Sequence, residues 1–106
     1  MSNNKNNYLS EQVQRTLKVI RVMAGNEVHG ISPGDIARTA EISSSNVTRV
    51  LANLKEQQFV EELPWDKSKL RLAPALVQIS NTVAMNLRQH QQQLQQDALN
   101  LGLLAI

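Results

Sequence analysis

Apolar residues recur at helical spacing in four separate segments of the chain, and these segments predict four helices. The first helix begins near Ser10, a favourable N-cap residue, and ends at Gly25 and Asn26. Its apolar residues follow spacings of four, three and four, so we expect one face to point into the core. The residues of that face are Val13, Leu17, Ile20 and Ala24.

Two shorter helices follow. Ser32 can cap the second, with Pro33 at its first position and Asp35 where a capping-box carboxylate belongs. This helix directs Ile36, Ala37 and Ala40 inward. The third helix begins after Ser43, and its apolar positions i, i+3, i+4 and i+7 form one buried stripe. The residues of this stripe are Val47, Val50, Leu51 and Leu54.

The segment between the third and fourth helices predicts a small β-hairpin. Polar and apolar residues alternate strictly over 69–72, which places Leu70 and Leu72 on the inner face of a strand. Residues 59–63 form the partner strand, and 64–68 form the turn. We expect Trp65, in this turn, to pack on the domain; stacking on a deoxyribose and a dimer contact are the alternatives.

From Pro74 onward, apolar residues lie along one stripe of a single long helix that ends near Gly102, and its glutamines form a solvated face. One small domain cannot cover so long a stripe. We therefore expect a homodimer that forms through this helix. The residues assigned to the interface are Leu87, Leu94, Ala98 and Leu101.

The order of elements predicts a mainly α fold with a small β-hairpin. It is a winged helix-turn-helix followed by a long C-terminal helix, because a short turn between helices two and three projects the third helix outward. The predicted divisions are a flexible tail at 1–9, the winged domain at 10–73, and a linker or dimerisation helix at 74–106.

Composition excludes several functional classes. The chain has no cysteine and only two histidines, which are far apart in sequence, so we expect no metal site. No nucleophile–base pair, glycine-rich phosphate loop or carboxylate cluster stands out, and we expect no catalytic residues and no cofactor. No stretch reaches the length of a membrane span or resembles a secretory signal, so we expect a cytoplasmic protein. The formal charge of +2 permits nucleic-acid binding without requiring it.

The outer face of the third helix combines short polar side chains with one guanidinium, a set that can approach base edges and phosphates closely. It comprises Ser45, Arg49, Ala52 and Asn53, with Asn46 and Thr48 beside them. The hairpin adds cations at its tip and outer face: Lys67, Lys69 and Arg71. This pattern predicts binding to double-stranded DNA. The alternative is a winged-helix module that binds protein, as a subunit or inhibitor of a DNA-processing complex.

The segment from Glu11 to Leu76 resembles the N-terminal DNA-binding domain of IclR-type transcriptional regulators. The similarity is clearest in ISPGDIARTAEISSSNVTRVLANLKEQQFVEE and in KLRLAPALVQI. It implies that the start of the third helix and the hairpin face DNA, with Arg38 as a phosphate contact. The helix residues to which it gives that role are Ser44, Ser45, Asn46, Thr48 and Arg49.

Two features depart from the family pattern. Glu41 stands in the turn where the family usually has glycine, the residue that adopts positive φ without strain. The family's C-terminal effector-binding domain has no counterpart in the 106 residues, so the resemblance implies no small-molecule effector.

Overall fold

The structure is a computed structural model that describes residues 7–102; parts of the predicted tail at 1–9 and of the predicted segment 74–106 lie outside that range. It confirms the mainly helical winged helix-turn-helix with a long helix after it. The elements in chain order are α1 (Glu11–Met23), α2 (Pro33–Ala40), α3 (Ser44–Glu56), β1 (Val60–Leu63), β2 (Asp66–Leu72) and α4 (Pro74–Asn100).

Helix α1 begins as predicted, because the hydroxyl of Ser10 accepts a hydrogen bond from the amide of Val13. The predicted core face was wrong. The helix buries Val19 and Met23 completely, and of the four predicted core residues only Ile20 packs against the core. The other three are exposed: Val13, Leu17 and Ala24. Two apolar stripes lie roughly 120° apart on this helix, and the spacing alone does not show which one meets α2 and α3.

Helices α2 and α3 begin and pack as predicted. The hydroxyls of Ser32 and Ser43 cap them by accepting hydrogen bonds from backbone amides three residues later, at 3.1 and 3.3 Å. Ile36 and Ala40 of α2 are fully buried, and the whole predicted stripe of α3 lies in the core. Burying each large aliphatic side chain contributes about 1.5–3 kcal/mol, so this stripe fixes which face of α3 remains outside.

Both α2 and α3 end in a residue with positive φ that is not glycine. Glu41 has φ +58°, and Gln58 has φ +61°. In each case the next residue closes the helix end, as the amide of Ile42 donates to the carbonyl of Ala37 and that of Phe59 to the carbonyl of Leu54. These bonds satisfy the last carbonyls of the two helices as in a Schellman motif. The missing glycine therefore leaves the turn intact, and Glu41 itself takes the left-handed conformation.

The hairpin is formed by antiparallel β1 and β2, but its turn is shorter than predicted. Only residues 64–65 form the turn, and β2 already begins at Asp66. The ladder pairs Glu62 with Leu70 and then Leu63 with Asp66, so residues 67–69 bulge out of β2. The carboxylate of Asp66 stabilises this bulge by accepting hydrogen bonds from the amide and hydroxyl of Ser68.

The loop before α2 adds one bridge to the outer edge of the hairpin. Ile31 and Leu70 exchange two backbone hydrogen bonds, both of 2.9 Å. Gly30, next to the bridge, has φ +70°, and a Cβ atom at this position would lie 2.8 Å from side-chain atoms of Leu63 and Lys69. The loop and the hairpin can approach this closely because residue 30 has no side chain.

Helix α4 is one continuous helix. The chain divides into two compact units with the boundary between Leu76 and Val77, so most of α4 belongs to the second unit. Along Pro74–Asn100, all of which the structure describes, no side chain is buried. Among residues 7–102, no helix combines the length and the apolar character that crossing a membrane requires.

Candidate nucleic-acid interface

The exposed face of α3 contains the side chains that the sequence assigned to DNA. Five of the six are exposed and Asn46 is half-buried: Ser44, Ser45, Asn46, Thr48, Arg49 and Asn53. Within the described residues Arg49 forms no ion pair, so its guanidinium is available to a partner. Acidic residues are absent from the first turn of α3, and the exposed face therefore begins without a charge that would repel phosphate.

Some of the polar groups on this face are held by the helix itself. The hydroxyl of Thr48 donates to the carbonyl of Ser44 at 3.0 Å, and the side-chain amide of Asn53 donates to the carbonyl of Arg49 at 2.8 Å. Each bond fixes a side-chain orientation and still leaves an acceptor oxygen, and Asn53 retains a second N–H. The face therefore presents short, partly ordered hydrogen-bonding groups around one long cation.

Arg38 of α2 lies on the surface but is not free. Its guanidinium pairs with the carboxylate of Asp35 one turn earlier on the same helix. Both side chains remain substantially exposed, so the pair is weak in water and could exchange for a phosphate. The contact of Arg38 with DNA remains a prediction. The positive charge that Arg38 offers to DNA is smaller than the sequence suggested, because Asp35 partly neutralises it.

The hairpin, which we call the wing (residues 60–72), also uses part of its charge internally. The Nε of Arg71 donates to a carboxylate oxygen of Glu61 at 2.7 Å, directly across the ladder. A longer pair joins Lys55 at the end of α3 to Glu62 at 3.9 Å. Lys67 and Lys69 form no ion pair among residues 7–102 and are the wing's available cations.

One carboxyl group accepts hydrogen bonds within the bulge that carries these lysines. The side-chain hydrogen bond from Ser68 lowers the pKa of Asp66 below its ordinary value, and the backbone hydrogen bond from the same residue adds to the effect. At neutral pH Asp66 is therefore a carboxylate whose lone pairs are partly engaged within the wing.

Trp65 does not pack on the domain, contrary to the prediction. It forms half of the two-residue turn, and 68% of its surface is exposed. The guanidinium of Arg71 lies over its ring, with Cζ 5.7 Å from the ring centroid. The exposure of Trp65 could not be predicted, because a lone aromatic in a turn has no periodicity from which its direction can be deduced.

The apolar residues predicted for dimerisation lie on α4. Leu87, Leu94 and Leu101 are each about two-thirds exposed or more, at 66%, 69% and 73%, and Ala98 is half-buried. Exposed apolar side chains along one side of a helix form a candidate contact surface, and pairing through them remains a prediction. Within residues 7–102, no group of three or more His, Cys, Asp or Glu side chains could hold a metal ion.

Known proteins provide an independent comparison. The family model described as the IclR helix-turn-helix domain matches residues 12–64. An IclR transcriptional regulator from Alicyclobacillus acidocaldarius has a similar structure, with a TM-score of 0.63 and 21% identity, covering 73% of this chain and 30% of that one. A regulator of the same description from Silicibacter sp. has a TM-score of 0.58 and 21% identity, covering 67% of this chain and 27% of that one.

A third solved structure is a mutant of S. aureus MepR bound to an oligodeoxyribonucleotide. Its TM-score is 0.51 at 14% identity, and the match covers 92% of this chain and 78% of that one. No curated protein sequence matches the chain. The structural similarities show the shared fold, and the chain spans less than a third of the length of the two IclR regulators, at 30% and 27%.

Proposed function

Because the chain belongs to the IclR helix-turn-helix family of DNA-binding domains, we propose that it is a sequence-specific transcriptional regulator that binds double-stranded DNA. In this proposal α3 enters the major groove and the wing lies on the flanking backbone. The proposal assigns no catalytic role and no small-molecule effector to the described residues.

The exposed face of α3 carries this proposal. Val47, Val50, Leu51 and Leu54 anchor one side of the helix in the core, so the opposite side must face outward. That side presents Arg49 without an ion pair and a set of short hydrogen-bonding groups around it. A guanidinium can bind the O6 and N7 atoms of guanine together, and short neighbours allow the helix to approach the base edges closely.

The wing also supports DNA binding, through lysines that suit phosphates. Lys67, which is exposed, and Lys69, which is half-buried, lie on the bulge of β2, and long flexible ammonium groups suit phosphates better than base edges. Only three residues separate the wing from α3, and the amide of Phe59 in this connection donates to the carbonyl of Leu54 near the end of α3. A backbone contact by the wing would therefore fix the position of α3 in the groove.

We also propose that the protein binds DNA as a homodimer through α4. The apolar stripe of Leu87, Leu94, Ala98 and Leu101 follows helical spacing, and a second copy of the same stripe would cover it. A two-fold pair of winged domains would contact two half-sites separated by whole turns of DNA, each roughly 34 Å. The bound sequence should then be palindromic.

Selection of bound sequences from random duplex DNA tests the function directly. We expect a palindromic consensus to be enriched. In binding assays on that consensus, Arg49→Ala should lose discrimination of about 1–3 kcal/mol between the consensus and a mismatched site, and Ser45→Ala should lose less. Arg21→Ala removes the same charge from the exposed surface of α1 and serves as the matched control. No enriched sequence would favour the protein-interaction module instead, and an enriched sequence that Arg49→Ala discriminates as well as the parent protein would contradict the role of Arg49.

Light scattering tests the dimer. Leu94→Glu places a charge in the proposed interface and should halve the measured mass. Met85→Glu is the matched control, because Met85 is 56% exposed and lies on the side of α4 opposite Leu94. A monomeric parent protein, or equal effects of the two substitutions, would argue against pairing through this stripe.

A further inference from the structure

The apex of the wing combines an exposed aromatic ring, which the proposed function does not use, with the cations to which it assigns phosphate contacts. The indole of Trp65 is largely exposed, and the guanidinium of Arg71 lies over its ring. Lys67 and Lys69 follow on the bulge and form no ion pair within the described residues. A large apolar ring is thus kept in water beside three cations, with the carboxylate of Asp66 next to it in the chain.

The surrounding contacts hold this ring in place. Glu61 accepts a hydrogen bond from the Nε of Arg71 at 2.7 Å, and the two residues are paired across the ladder. The carboxylate thereby fixes the guanidinium, and the guanidinium restrains the indole through a cation–π contact. Pro64 precedes the ring and restricts the backbone of the turn. An indole restrained in this way loses little conformational freedom when it binds a partner.

The charge around the ring indicates the chemistry of that partner. Ammonium groups without an ion pair favour a polyanion, and a flat apolar ring favours a surface with an apolar face beside each anionic group. The deoxyribose–phosphate backbone has both: phosphates for Lys67 and Lys69, and a sugar face for the indole. The wing also adjoins the end of α3, where Lys55 and Glu62 approach to 3.9 Å.

We propose that Trp65 is a DNA-contacting residue that packs its exposed ring on a deoxyribose of the backbone next to the segment contacted by α3. This inference rests on the proposed function. The contact does not depend on base identity, so it strengthens binding to every duplex and positions the wing. Trp65 is the only tryptophan of the chain, so its fluorescence reports on this one position.

The experiment uses the full chain and a mixed-sequence duplex of about 20 base pairs, or two helical turns. Anisotropy of a fluorescein label on the DNA measures binding at low salt, independently of the protein's own fluorescence. Acrylamide quenching of Trp65, measured with unlabelled duplex, reports whether the indole becomes covered. We expect quenching to fall when the duplex binds.

Variants measure the contribution of the ring. Trp65→Ala should weaken duplex binding about three- to tenfold, as expected for loss of one aromatic contact, and Trp65→Phe should restore part of the affinity. Val28→Ala is the matched control, since Val28 is exposed and lies outside the wing. Circular dichroism establishes that each variant is folded, and Trp65→Phe tests the contact even where the alanine variant is unstable.

Each other outcome overturns the inference, and the outcomes are distinguishable. Binding by anisotropy with unchanged quenching, and with parental affinity for Trp65→Ala, shows that the ring does not touch DNA, while the proposed function stands. Quenching that depends on protein concentration without DNA assigns the ring to a contact between copies. Failure to bind any duplex removes both the inference and the proposed function.

Discussion

Replacing Glu41 with glycine should raise the free energy of unfolding, because this residue ends α2 with φ +58° and ψ +47°. A residue with a Cβ atom is disfavoured in this conformation by about 1–2 kcal/mol, whereas glycine adopts it readily. Glycine also increases the freedom of the unfolded chain, which offsets about 0.4–1 kcal/mol. The expected net stabilisation is therefore about 0.5–1 kcal/mol.

Little else is lost in this substitution. The carboxylate of Glu41 is exposed and forms no ion pair among residues 7–102. Its backbone amide donates to the carbonyls of Ala37 and Arg38, and glycine retains that amide. The stabilisation should therefore come from the backbone conformation alone.

Thermal unfolding followed by circular dichroism measures the effect, with protein concentration held fixed because dimerisation would shift the midpoint. The midpoint should rise by about 2–6 °C. Glu41→Ala removes the same charge but keeps the Cβ atom, so it should give no such rise. Gln58→Gly tests the same reasoning at φ +61°. If Glu41→Gly is no more stable than Glu41→Ala, the left-handed conformation is not a source of strain.

Three further predictions concern the wing and the loop that packs on it. Gly30→Ala should destabilise the domain by about 2 kcal/mol or more in urea titrations, since the new Cβ would lie 2.8 Å from side-chain atoms of Leu63 and Lys69. Gly25 also has positive φ but has no neighbour within 4 Å of the corresponding Cβ position, so Gly25→Ala should have a smaller effect. Ser68→Ala should raise the pKa of Asp66 towards its ordinary value, because it removes the side-chain hydrogen bond that favours the carboxylate. The stability that this hydrogen bond contributes is present at neutral pH and is lost as the pH falls through the folded-state pKa. An NMR titration measures the pKa, and an unchanged value would contradict the assigned cause. Replacing Lys67 and Lys69 together with alanine should weaken binding to all duplexes. The slope of log affinity against log salt concentration should fall in magnitude by about 0.9 for each lost phosphate contact. An unchanged slope would place both lysines away from DNA.

The helices that form the helix-turn-helix could be predicted because their signals are local. Ser32 and Ser43 cap α2 and α3, and one apolar stripe on α3 leaves no alternative face for the core. Helix α1 has two apolar stripes, and the choice between Leu17 and Val19 depends on tertiary packing. The sequence pattern of one helix does not contain that information.

The details of the wing depended on side-chain interactions that composition does not reveal. Residues 64–68 have the composition of a turn, but the hydrogen bonds between Asp66 and Ser68 form within a strand bulge. The pairing of Arg71 with Glu61 likewise needed the strand register. The exposed residues of α3 could be predicted, because they lie opposite a stripe that must be buried; their contacts with DNA remain predictions.

The bridge between Ile31 and Leu70 has a consequence for solubility. A two-stranded hairpin ordinarily exposes backbone donors and acceptors along both outer strands, and such edges can recruit strands from other molecules. Here the loop before α2 occupies part of the outer side of β2. The other side belongs to β1, which is four residues long and carries Glu61 and Glu62. A strand this short offers few backbone groups to a second copy, so the wing resists edge-to-edge aggregation.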